Sequence, residues 1–77
     1  MALITDSVSS WSAPITLSSD EIWQTRRGSV FVSTAATPGA EDGLALQEGA
    51  AVQFSAGVSV RYRKEGIVDV WIAREAV

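Results

Sequence analysis

The side chains here that could carry out chemistry are nine carboxylates, six basic groups, one tyrosine and a scatter of hydroxyls, in a chain of 77 residues without histidine or cysteine. Those two absences matter most. General acid–base work near neutral pH, thiol nucleophiles and structural zinc all draw on histidine or cysteine, so any catalysis must rest on carboxylates, hydroxyls, Lys64 or Tyr62. Lys64, the lone lysine, falls in a Lys-Glu-Gly turn and reads as an ordinary surface amine. Asp69 has an arginine as its expected neighbour, which suits a structural ion pair better than acid catalysis. No glycine-rich phosphate loop, nucleophile elbow or dinucleotide fingerprint occurs. Glu41 and Asp42 are adjacent in a loop, but without the alternating oxygen ligands of a calcium loop, so the pair reads as solvated acid. The expectation is a non-enzymatic chain with no catalytic residue, no metal and no cofactor.

Side chains suited to binding are better represented. Trp11, Trp71, Arg61 and Arg63 are of types enriched at protein interfaces, and Ile67 and Asp69 fall among them in the C-terminal third. Trp11 admits two uses, anchoring an arm on a neighbouring subunit or closing one end of this domain's own core. Arg26 and Arg27 precede Gly28 and are expected at a turn, either as a solvated tip or as an anion or partner spot helped by nearby backbone N–H groups. Trp71 beside Arg61 could also stack a sugar, or a nucleobase with Arg63 assisting. A net charge of −3 opposes nucleic acid.

These residues must be positioned by strands. From Gly49 to Ala73 the sequence reads GAAVQFSAGVSVRYRKEGIVDVWIA, an every-second-residue apolar pattern broken by SAG and KEG, which a helix cannot satisfy. If Lys64-Glu65-Gly66 closes a hairpin, Arg63 faces Ile67, Tyr62 faces Val68, Arg61 faces Asp69 and Val60 faces Val70. Val58, Val60, Tyr62, Val68, Val70 and Ile72 then make the core face. Ser59, Arg61, Arg63, Ile67, Asp69, Trp71 and Ala73 make a second, amphipathic face. Upstream, the β-branched run at Val30 to Ser33 is a strand, and Leu44 to Leu46 is another. Residues 35–43, with Pro38, two glycines and two acids, are the longest loop. Ser19 could cap a helix over DEIW, but Ile22, Gln24 and Arg26 alternate with Trp23, Thr25 and Arg27, and a strand at Glu21 to Thr25 is favoured. Pro14 disfavours a helix before it, leaving an irregular arm over residues 1–12 and a short strand near Ile15 to Leu17 in a single domain of residues 13–77.

The fold class expected is all-β: a small antiparallel β-sandwich or barrel, jelly-roll-like, of about six short strands with an extended N-terminal arm. A chain this short buries only about 60% of its extended surface and has no disulfide to staple it. With 47% apolar residues and three tryptophans, burying surface against another subunit relieves that tension. The first residues carry no basic region and apolar core of a secretory peptide, and no apolar run approaches the roughly 20 residues of a membrane span.

The segments Gly28 to Ser33, Gly43 to Gly49 and Phe54 to Arg61, with a glycine-led V-x-V-S, a G-L-x-L-x-x-G and an F-x-x-G-x-x-V-x-x-R pattern, resemble small accessory β domains of tailed bacteriophages and related gene-transfer particles. Those domains decorate capsids or form spikes, fibres or collars. The resemblance implies a non-enzymatic structural subunit, often trimeric, attached to a virion among other particle proteins; the missing export signal sets the expectation that it is made in the cytoplasm. It assigns no role to Arg26, Arg27 or Trp71. The expected function is a virion-like structural subunit that assembles through its arm and amphipathic face. A glycan or cell-surface ligand module using Trp71 and Arg61 is the alternative.

Overall fold

A computed structural model of the chain describes residues 2–39 and 42–77. Among the described residues it contains eight strands: β1 (Ala2–Ile4), β2 (Ile15–Thr16), β3 (Glu21–Arg27), β4 (Val30–Ser33), β5 (Leu44–Leu46), β6 (Ala51–Phe54), β7 (Ser59–Lys64) and β8 (Trp71–Ala76). They form two four-stranded antiparallel sheets, β1-β8-β3-β6 and β2-β7-β4-β5, packed on one another as a β-sandwich. Four of the pairings are nested: β1 with β8, β2 with β7, β3 with β6 and β4 with β5.

The core lies between the sheets and is built by alternation. From β3 come Trp23 and Thr25, from β4 Val30 and Val32, from β7 Val60 and Tyr62, and from β8 Ile72, all buried, with Leu17, Leu46, Phe54 and Val70 filling the ends. Trp23 is the centre. Its ring meets Phe54 edge-on, with centroids 5.5 Å apart, and lies 6.3 Å from Tyr62, an arrangement that adds about 0.5–1.5 kcal/mol beyond the area buried. The alternative helix at residues 20–25 loses to a strand because only period 2 puts Trp23 and Thr25 inward together.

Three expectations are corrected. The described residues form eight strands rather than about six; the short strand expected near Ile15 to Leu17 is present as β2, whereas β1 is too short to stand out as an apolar run. The segment expected to be an irregular arm is partly strand: β1 pairs with β8, and its Leu3 lies opposite Ala73. Farther along, Lys64 N–H donates to Val8 O and Ser12 N–H to Tyr62 O, both at 2.9 Å. The N-terminal residues thus cover the open edges of both sheets on one side, satisfying backbone groups of β7 and β8 that would otherwise be bare. Finally, β7 and β8 do not form a hairpin. Tyr62 pairs with Val32 and Arg61 with Ser33 in one sheet, while β8 pairs with β1 and β3 in the other. Residues 65–70 cross between the sheets, held by Glu65 N–H donating to Ser29 O at 3.0 Å. Inward parity survives this change because the two sheets face one common core, so Val60, Tyr62, Val70 and Ile72 are all buried. Val68 leaves that face for solvent in the crossing.

A candidate interaction face

The outer face of the β1-β8-β3-β6 sheet carries three exposed apolar side chains, Leu3, Ile22 and Trp71, while Val8, Leu44, Ile67, Val68 and Val77 are exposed outside its strands. On β3, with Trp23 and Thr25 turned inward, Ile22, Gln24 and Arg26 point outward; on β8, Trp71, Ala73 and Glu75 do so, and β1 adds Leu3. Leu3 is 47% exposed, Ile22 41% and Trp71 40%. Register fixes their neighbours. Leu3 stands opposite Ala73, Ala73 opposite Gln24 and Gln24 opposite Ala51, while Ile22 stands opposite Glu75. The small side chains of Ala51 and Ala73 leave a shallow hollow of about 280 Å³, rimmed by Ile22, Gln24, Arg26 and Glu75.

A β-bulge shapes one end of this face. Thr25 pairs with Ile72 and Arg27 with Trp71, so Arg26 and Arg27 together oppose one residue of β8. Without the extra residue Arg27 would share the inward parity of Trp23 and Thr25. With it, the strand bends and the guanidinium of Arg27 lies over the Trp71 ring, 5.2 Å from its centroid. The sequence suggests both arginines for the turn; they instead end β3, and the turn proper is Gly28 and Ser29. Gly28 has φ of +73°, and a Cβ there would come within 2.8 Å of Asp69 O, so the turn packs directly beneath the crossing segment.

The remaining candidates are dispersed. Arg61 and Arg63 lie on the outer face of the opposite sheet, away from Trp71. The Arg61 guanidinium donates to Ser12 O at 3.1 Å, and the Arg61–Asp69 pair does not form, since Arg61 lies opposite Ser33 and Asp69 sits exposed in the crossing. The expected Trp71–Arg61 cleft is therefore not assembled. Arg63 lies over the rings of Phe31 at 4.3 Å and Trp11 at 5.3 Å. Trp11 Nε1 donates to Gly39 O at 2.9 Å, and the ring rests at Gly43, where a Cβ would meet it at 3.1 Å and Val32 O at 2.5 Å. Trp11 thus packs on its own domain, outside the core between the sheets. Ile67 is 95% exposed at the tip of the crossing. Glu41 lies outside the described residues; Asp42 accepts from Gly39 N–H through Oδ2 at 2.7 Å.

Two polar groups that seal the core were missed. Glu21 and Arg74 occupy inward parity at one end of the sheet. Arg74 donates through Nε to Oε1 at 2.9 Å and through Nη2 to Oε2 at 3.0 Å, and Trp23 Nε1 donates to the same Oε1 at 3.0 Å. The Arg74 hydrogen bonds chiefly hold the Glu21 carboxyl below its ordinary range, against the opposing effect of burial. At the other sheet, burial and a 2.8 Å hydrogen bond to Asp6 push the Tyr62 phenol up to about 12. The parity of residues 22, 24 and 26 and of 71, 73 and 75 was legible in sequence. That β3 lies beside β8 was not.

No protein-family model, curated protein or solved structure matches the chain.

Proposed function

We propose that this protein is a non-enzymatic structural subunit of a virion-like particle that assembles with copies of itself through the outer face of the β1-β8-β3-β6 sheet. The observation that carries the reading is that face: Leu3, Ile22 and Trp71 are each about half exposed on one side of a sandwich whose core is already filled from within. Apolar side chains gathered on one face, with an arginine stacked on the tryptophan, have the composition of an interface centre.

The strand order supports the setting. Nested pairs of first with last strand, second with seventh, third with sixth and fourth with fifth are the order we assign to a jelly roll, an architecture used by viral capsid domains. This is an analogy of fold, which suggests a setting, whereas the face suggests the action. Among the described residues the most enclosed carboxylate, Glu21, is committed to Arg74 and Trp23, which suits structure rather than acid catalysis.

Light scattering from about 10 micromolar to about 1 millimolar covers the range in which an interface of less than standard size associates. The expected result is a mass rising above 8.2 kDa that Ile22→Glu holds at the monomer value. A wild-type monomer throughout removes the self-assembly reading. The particle setting is checked by the neighbouring genes: structural genes of a tailed phage support it, and an unrelated neighbourhood removes it.

A further inference from the structure

The outer face is charged at opposite ends. Arg26 and Arg27 lie beside Trp71 at one end of β3, whereas Glu75 stands opposite Ile22 at the other. Glu75 and Trp71 are four residues apart on β8, a separation of about 13 Å, so Arg26 and Glu75 of one chain are too far apart to neutralise each other. Between them runs a row with no charge, Leu3, Ala73, Gln24 and Ala51.

We infer that the partner for this face is a second copy of the same chain, packed sheet on sheet about a two-fold axis that lies in the interface and runs across the strands. The inference rests on the self-assembly proposed above. It specifies the geometry. Rotation about that axis reverses strand direction and lays each strand over its own counterpart, so Ile22 of one copy lies over Arg26 of the other and Glu75 over Trp71, with the partner's positive Arg26 one strand, about 4.8 Å, to the side of Glu75. The same contact is made twice. The uncharged row meets itself on the axis, where Ala51 and Ala73 leave room for two sheets about 10 Å apart. An axis along the strands would instead set the arginine end on the arginine end and the Glu75 end on the Glu75 end, a like-charge arrangement that suppresses that pairing.

The size of the face sets the strength. Strands of three to seven residues, about 10–24 Å long and about 4.8 Å apart, present roughly 330 Å² per copy, below the roughly 800 Å² per partner of a standard interface. Association is therefore weak and concentration-dependent, as suits a contact repeated in a larger assembly.

Sedimentation equilibrium on the wild type, Arg26→Glu, Glu75→Arg and an equimolar mixture of the two variants tests the arrangement. Both side chains are exposed, and circular dichroism checks that both variants fold. Each variant alone sets like charges together and is expected to weaken association about tenfold or more. Their mixture restores wild-type strength: the carboxylate introduced at position 26 of one chain then faces the guanidinium introduced at position 75 of the other, and the unaltered Glu75 of the first faces the unaltered Arg26 of the second. A mixture no stronger than its components overturns the two-fold arrangement. Wild-type oligomers, trimers included, that ignore both substitutions overturn it as well while leaving self-assembly standing. A wild-type monomer at every concentration overturns both.

Discussion

Replacing Arg74 with alanine removes the clamp at the end of the core. Glu21 loses two charge-assisted hydrogen bonds, at 2.9 and 3.0 Å, and Trp23 loses the guanidinium lying 5.2 Å from its ring centroid. The side chains of Arg74 and Glu21 are 23% and 12% exposed, so the pair falls between an exposed ion pair, worth under about 1 kcal/mol, and a buried one whose breaking costs about 3–5 kcal/mol. We take about 1.5 kcal/mol for the pair and about 0.5 kcal/mol for the ring contact, together about 2 kcal/mol. A domain of this size has roughly 4–12 kcal/mol in total. At about 4–8 °C per kcal/mol, the midpoint of thermal unfolding should fall by roughly 8–16 °C. The assay is urea and thermal unfolding followed by circular dichroism at several pH values. Because the folded-state pKa of Glu21 is lowered, the contribution is present above the unfolded value near 4.5 and is lost as pH falls through the lower folded value. The gap between wild type and Arg74→Ala should therefore be full at neutral pH and narrow in acid toward the roughly 0.5 kcal/mol of the ring contact, which does not titrate. A gap under about 0.5 kcal/mol at neutral pH, the size of an ordinary surface substitution, or one that does not change with acidification, refutes the reasoning.

Two further outcomes follow from the fold. Tyr62 is the chain's one tyrosine, so ultraviolet absorbance in alkali reads it alone: ionisation is expected at about 12 rather than 10.0, and a midpoint near the ordinary value would sink the account. Since the folded pKa is raised, the stability this group contributes is complete below 10.0 and is lost as pH rises through about 12. Deleting residues 2–12 should abolish cooperative unfolding, because it strips β1 from β8 and the Val8 and Ser12 hydrogen bonds from β7. A deletion that unfolds near the wild-type temperature and changes only the mass in solution would return these residues to the role of an assembly arm.

The sequence alone determined that the chain is built of strands and, along the two C-terminal ones, which side chains turn inward. Val60, Tyr62 and Ile72 were assignable because a strand alternates its side chains whatever lies beside it. The absence of histidine and cysteine was equally plain, as was the presence of three tryptophans. Tertiary structure decided which strand lies next to which. Alternation carries no information about neighbours, so Tyr62 and Val68 could be paired across a hairpin on paper while the chain instead crosses from one sheet to the other. The grouping of functional candidates changed with that crossing: Arg61 went to one outer face and Trp71 to the other. Arg27 was turned onto Trp71 by a bulge that depends on the pairing of β3 with β8, and Glu21 met Arg74 across 53 residues because a pairing between distant strands brings together groups that no local pattern connects.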